Sequence, residues 1–193
     1  MSKAVLISIR PKWVKKILAG EKTLEVRKNR PNMETPFKAY IYCTAGNLSY
    51  KVNGVNGGMV CNVSGGKIVV GEFVCDKITW LTHIGFSGLS GIRLAAMYDR
   101  YTIDSSFDFS ESCLTAPQIE KYLGGKDGYA WHISDLKIYE TPKELTEFHT
   151  WKKCKSCSKT GYESTACIYD ENCMVPVAIT KAPQSWCYLE ELK

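Results

Sequence analysis

Lys22, Glu25 and Arg27 fall within the run Gly20-Glu21-Lys22-Thr23-Leu24-Glu25-Val26-Arg27. In an extended segment successive side chains alternate, so Thr23, Glu25 and Arg27 share one face while Leu24 and Val26 share the other. A carboxylate and a guanidinium two residues apart on one strand face can share a polar ligand. A lysine at the strand mouth completes a compact charged group. The same spacing also describes a solvated strand face with a surface ion pair, which contributes little to stability.

A second set of reactive side chains lies later, where His149 precedes Cys154, Cys157, Cys167 and Cys173. A Cys-x2-Cys knuckle wraps a metal with two thiolates, and two further thiolates complete a tetrahedral shell. The spacing predicts a structural zinc held by Cys154, Cys157, Cys167 and Cys173, with a four-cysteine shell preferred over one using His149. A metal would order a polar segment that has little apolar core of its own. Lys152, Lys153, Lys155 and Lys159 would offset thiolate charge or touch a nucleic acid backbone. Four free cysteines in a loop is the alternative. Cys43, Cys61, Cys75, Cys113 and Cys187 read as small apolar residues in or near strands.

The elements that must position the first group are legible around it. Residues 11–19 form an amphipathic helix, with Pro11 at its first position, where a missing N–H costs nothing. Trp13, Val14, Ile17 and Leu18 make one stripe, and Lys12, Lys15 and Lys16 face away. Gly20 supplies the left-handed cap. Residues 4–9 read as a central strand covered on both faces, residues 22–28 as the strand carrying the charged group, and residues 38–44 as a third strand. Residues 45–66 hold several Asn-Gly pairs and read as a surface excursion, possible as a hairpin. Residues 67–82 give the longest strand-like run, with Gly71 marking a bulge or a close backbone approach. Residues 89–98 read as a short helix. Thr115 to Gln118 has capping-box form and opens a helix ending at Gly124. Residues 128–139 read as one strand, and Thr141 to Glu144 as a second capping box opening a helix to Phe148. Residues 184–189 close the chain as a strand.

Strands separated by short isolated helices predict an α+β fold, a small mixed barrel rather than a regular βαβ wind. The 193 residues fit one domain, with a cysteine-rich insert at 149–181 and a return to the barrel at 182–190. An apolar fraction of 45% against 23% charged is that of a globular protein able to build a core without metal or disulfide. The net charge of +5 is compatible with nucleic acid without demanding it. No signal peptide and no apolar run of membrane-spanning length is visible. We therefore expect a cytoplasmic protein with no membrane partner, whose nine cysteines stay reduced.

The segment Ile7-Ser8-Ile9-Arg10-Pro11-Lys12-Trp13, with Ile17-Leu18-Ala19 and the Gly20–Arg27 run behind it, resembles the opening of an ASCH domain. That family's Gly-x-Lys-x-x-Glu-x-Arg positions are all filled. Val70-Gly71-Glu72-Phe73 and Tyr129 to Leu136 are similar to later family segments. The tail Pro183 to Tyr188 is similar to the phage- and prophage-borne branch. The likeness covers residues 4–148 and 182–190. It implies a PUA-like mixed β pseudo-barrel with short flanking helices, and a cleft beside the charged motif that binds single-stranded RNA or a nucleotide, holding an unpaired or modified base. Carried over position by position, Lys22, Glu25 and Arg27, with Ser8 before them, are the ligand-binding candidates. Lysine and arginine attract phosphate, and a carboxylate accepts from an exocyclic amine or activates a water. Trp131 and Trp186 are the candidate stacking surfaces, with plain core packing as their alternative.

One bacterial branch of the family resembles amidohydrolases of acetylated cytidine that use a lysine and a threonine of this motif. Lys22 matches the lysine, but Glu25 occupies the threonine position, and a carboxylate cannot be an activated hydroxyl nucleophile. Hydrolysis of a modified nucleoside or of RNA by a Lys22/Glu25 catalytic pair is the enzymatic alternative. A zinc-dependent protein-interaction module is a third. Binding without catalysis is the preferred expectation.

Overall fold

The computed structural model describes residues 3–52, 59–85, 92–97, 102–153 and 174–192. The chain opens with β1 (Lys3–Ile9), α1 (Pro11–Leu18), β2 (Leu24–Arg27) and β3 (Phe37–Cys43). A hairpin of β4 (Leu48–Val52) and β5 (Met59–Val63) leads to β6 (Ile68–Cys75), β7 (Ile78–Gly85), β8 (Ile92–Met97) and the short β9 (Ile103–Asp104). Then come α2 (Ala116–Leu123), β10 (Gly128–His132), β11 (Ser134–Lys143), β12 (His149–Lys153), β13 (Met174–Ala178) and β14 (Trp186–Glu190).

Two five-stranded sheets carry the fold, one in the order β11-β6-β3-β1-β14 and the other β2-β10-β7-β8-β9. β1 lies inside the first sheet, parallel to β3 and antiparallel to β14. Its unbroken apolar run suits burial on both faces. Val5, Ile7 and Ile9 pack with Val14 and Ile17 of α1 and with Trp131. Ala4 and Leu6 face the other way, toward Tyr40, Phe148 and Leu189.

Two expected strands are broken in two, and the breaks build the architecture. Residues 67–82 divide at Asp76-Lys77 into β6 of the first sheet and β7 of the second. Residues 128–139 divide at Ile133, before Asp135 at φ 45°, into β10 of the second sheet and β11 of the first. At each of these breaks the chain crosses between the sheets, which wrap a shared core without closing a barrel.

Two expected helices are replaced. Residues 92–97 form β8 instead, because pairing with β7 and β9 buries Leu94, Ala95 and Ala96. A run this short and alanine-rich has weak intrinsic preference, and sheet contacts override it. β11 continues through Pro142, since the residue before a proline is driven away from helical geometry. A single 3-10 turn at Leu145–Glu147 follows, in which the Glu144 N–H donates to Glu147 Oε1 at 2.7 Å. Leu145 and Phe148 point inward as the pattern required.

β12 and β13 form an antiparallel ribbon from His149↔Ala178 to Lys153↔Met174. The predicted zinc ligands Cys154, Cys157, Cys167 and Cys173 lie outside the described residues.

Gly71 is the close approach that its place in a strand implied. A Cβ there would sit 2.5 Å from the Lys137 carbonyl oxygen of β11. Gly71→Ala is expected to force the β6–β11 ladder apart and to cost roughly 1–3 kcal/mol, measured as a lower denaturation midpoint with an unchanged slope.

Candidate functional site

β2 is the edge strand of the second sheet among the described residues, with β10 as its neighbouring strand, Glu25 opposite Trp131 and Arg27 opposite Tyr129. Leu24 and Val26 pack beneath Ile119 and Leu123 of α2. Strand alternation therefore sends Glu25 and Arg27 to the other side, toward the end of β1 where it turns into α1. Gly20, at φ 73°, ends the helix and starts the short link that delivers Lys22 to the same place.

This group is not the exposed ion pair that its spacing also allowed. Lys22 is 2% exposed, and Glu25 and Arg27 are 7% exposed. Glu25 lies between two cations, with Oε2 3.2 Å from Lys22 Nζ and Oε1 3.0 Å from Arg27 Nη2. The Lys22 ammonium also donates to the Leu24 carbonyl at 2.5 Å and the Ser112 carbonyl at 2.7 Å. Two of the three ammonium donors thus go to backbone carbonyls, with the Glu25 carboxylate at ion-pair distance. The turn carrying Ser112 is fixed in turn by Thr23, whose N–H donates to the Glu111 carbonyl at 3.0 Å.

Arg27 is anchored differently. Its Nη2 donates to the Ser8 carbonyl at 2.8 Å and its Nη1 to Ser185 Oγ at 3.4 Å, while the buried Nε–H has no hydrogen-bond partner among the described residues. Ser8 ties β1 to the returning tail, because its hydroxyl donates to the Pro183 carbonyl at 2.6 Å. Its backbone therefore helps orient Arg27.

These side chains line a cavity of about 360 Å³, within the span of roughly 300–1,000 Å³ usual for small-molecule sites. Ser8, Lys22, Glu25 and Arg27, all named from the sequence, meet there. Trp131 does not. It is fully buried in the core, edge-on to Phe37 with ring centroids 5.7 Å apart. Trp186 packs against Trp131 at 6.0 Å and is likewise not part of the lining. The aromatic walls are Trp13 and Tyr122, and the polar rim is Arg10, Gln118 and Gln184.

The sequence pattern assigned Trp13 wholly to the buried stripe of α1, yet it stays half-exposed, 5.6 Å from Lys22 Nζ to ring centroid. Nothing local connects Tyr122 to the motif, since α2 reaches it only by packing over β2. Burial raises the Tyr122 hydroxyl pKa, and the nearby Arg27 charge partly opposes that shift. Two fixed cations against one carboxylate leave the site positive. The carboxylate oxygens retain lone pairs, and Arg27 retains donors, so both hydrogen-bonding senses are offered side by side.

No family model matches the chain. No curated protein matches it either. Solved structures do. The crystal structure of an ASCH protein from Zymomonas mobilis is similar over 97% of this chain and 88% of its own, at 18% identity and a TM-score of 0.50. Two substituted forms of that protein also match. One does so at 17% identity and TM-score 0.48 over 97% and 89% of the two chains, the other at 21% and 0.44 over 75% and 77%. At such identities the likeness concerns the fold alone, an α+β fold similar to that of the ASCH protein. No helix among the described residues is long and apolar enough to cross a membrane. No cluster of three or more candidate metal ligands occurs among the described residues.

Removing one member of a buried ion group leaves the others uncompensated. Lys22→Met is expected to cost roughly 3–5 kcal/mol. The Lys22→Met/Glu25→Gln double variant should cost clearly less than the sum of the singles, as read from urea unfolding in a double-mutant cycle.

Proposed function

We propose that the chain binds RNA or a nucleotide, holding one unpaired or modified base in the cavity beside Lys22, Glu25 and Arg27. The observation that carries this reading is a desolvated Lys22–Glu25–Arg27 group at the wall of a hollow flanked by Trp13 and Tyr122. Burial strengthens each hydrogen bond made there. Glu25 would accept from an exocyclic amine, and the unpartnered Arg27 Nε–H would donate to a ring nitrogen or a keto oxygen. Trp13 and Tyr122 would contact the faces of the base. Arg10 at the rim would meet phosphate.

Binding is favoured over hydrolysis by a Lys22/Glu25 pair because Lys22 is tied to two backbone carbonyls and paired with Glu25, a structural rather than a substrate-directed arrangement. The fold resemblance agrees with an RNA-binding role, and the tail motif with the phage-related branch.

Fluorescence titration of unpaired RNA at several salt concentrations tests the proposal. Wild type should bind with an affinity that falls as salt rises, and Trp13→Leu and Arg27→Ala should each weaken it about tenfold or more, about 1.4 kcal/mol. Equal affinity in wild type and both variants would remove the proposal. Turnover of modified nucleosides that vanishes in Glu25→Gln would replace it with the hydrolase.

We further propose that Cys154, Cys157, Cys167 and Cys173 hold a structural zinc. Elemental analysis of protein purified without chelator should give about one zinc per chain, lost in a Cys154→Ser/Cys157→Ser variant.

A further inference from the structure

The second sheet has one face sealed and one face partly open. Val26, Ala130, Leu81 and Ala96 are buried on the sealed side, beneath α2. Directly opposed residues on neighbouring strands share a face. The register sets Arg27 opposite Tyr129, Tyr129 opposite Trp80, Trp80 opposite Met97 and Met97 opposite Ile103. One cross-strand row thus starts at the cavity arginine and runs outward over an aromatic pair to the sheet's far edge.

The row is buried at Arg27 and partly buried at Tyr129, and it opens to solvent farther out, at Trp80 and Ile103. Trp80 is 37% exposed and Ile103 is 50% exposed, in a molecule whose other large apolar side chains are mostly buried. Tyr129, Trp80, Ile78 and Met97 line a groove of about 500 Å³, with Arg30 and Asn32 on its rim. The Trp80 ring is held in place. Its Nε1–H donates to Asp127 Oδ2 at 3.1 Å, while Asp127 Oδ1 accepts from the Thr82 hydroxyl at 2.9 Å. The rim is held too, because the Asn32 N–H donates to the Tyr188 hydroxyl at 2.7 Å. An exposed, pre-oriented indole beside a guanidinium is what a stacked base and its phosphate require.

We infer that this groove is a second nucleotide subsite. The next base of a single strand would stack on Trp80 and Tyr129, with Arg30 on its phosphate, while the first base occupies the cavity. The inference rests on the nucleotide-binding reading of that cavity. Two interstrand steps of about 4.8 Å separate Arg27 from Trp80, so the two subsites lie about 10 Å apart along the row. One extended strand can serve both. The exposed Arg30 on the groove rim, and the excess of cations at the cavity where the row begins, favour a polyanion over an uncharged peptide as the occupant.

The test compares binding of mononucleotides with that of the matching short homopolymer RNAs to the full chain. Trp80→Ala should weaken homopolymer binding about tenfold and leave mononucleotide binding unchanged, and Trp80→Phe should recover most of the loss. Arg30→Ala should lower the salt slope for homopolymers by about one. Thermal unfolding of each variant separates lost binding from lost folding, and the Arg30→Ala salt slope decides between the outcomes should Trp80→Ala fail to fold. Homopolymer affinity and salt slope unchanged in the folded variants, with mononucleotides still bound, would overturn the groove and leave the cavity reading intact. Wild type that binds no mononucleotide and no homopolymer would overturn both. A proline-rich peptide bound by wild type and lost in Trp80→Ala, with RNA binding unaffected, would assign the groove to a protein partner and likewise overturn the inference.

Discussion

A carboxylate withdrawn from water has to be balanced, and Glu25 is balanced twice. Lys22 holds one oxygen and Arg27 the other. Neither cation is free to drift, because Lys22 is also bound to the Leu24 and Ser112 carbonyls and Arg27 to that of Ser8. Desolvating such a group is costly, and only near-complete hydrogen bonding offsets that cost. The surrounding structure can be understood as what makes the satisfaction possible. β1 must present the Ser8 carbonyl, the turn at Ser112 must close over Lys22, and the tail must return to place Ser185 beside Arg27. Three regions far apart in the chain converge on one ion group.

The convergence depends on the way the two sheets are joined. Each sheet alone would bury a single face. Because β6 passes into β7 and β10 passes into β11, the sheets share an apolar centre in which Trp131 is the largest side chain. That centre seats β10, and β10 carries the edge strand β2 with Glu25 and Arg27 on it. Trp131 thereby serves the site from behind. It sets the floor on which the charged strand lies and does not itself reach the cavity. The first sheet carries a partly buried polar network of its own, in which Tyr139 donates to Glu72 and Lys38 pairs with Glu191. Burial and the Glu72 carboxylate both raise the Tyr139 pKa, so that phenol remains the donor.

The uneven covering of the second sheet has a plain physical origin. α2 is short and supplies Ile119 and Leu123 to one face, while the opposite face is sheltered by the first sheet only near β2 and β10. Farther out, at Trp80 and Ile103, no such shelter exists among the described residues. Polar anchoring by Asp127 then fixes the indole in an exposed position that apolar packing alone would not select.

Much of the local structure was written in the sequence. Proline at the head of α1 and glycine past its end set that helix, and strand alternation separated Leu24 and Val26 from Glu25 and Arg27. The capping box placed α2, where Gln118 Oε1 accepts from the Thr115 N–H at 3.0 Å. These are short-range effects, decided by residues within a turn or two of each other. What lay beyond the sequence were the outcomes set by distant partners. Residues 92–97 became a strand because β7 and β9 were there to pair with them. The long runs at 67–82 and 128–139 broke because each had to serve two sheets. Trp131 went to the core, while Trp13 and Tyr122 came to the cavity, since a ring's neighbours depend on how elements pack and not on its own spacing. Alternation could say which side Glu25 and Arg27 would face. Whether that side met bulk water or a charged hollow was decided by β1, α2 and the returning tail, because burial is a property of the assembled fold and has no signature in the order of residues along a strand.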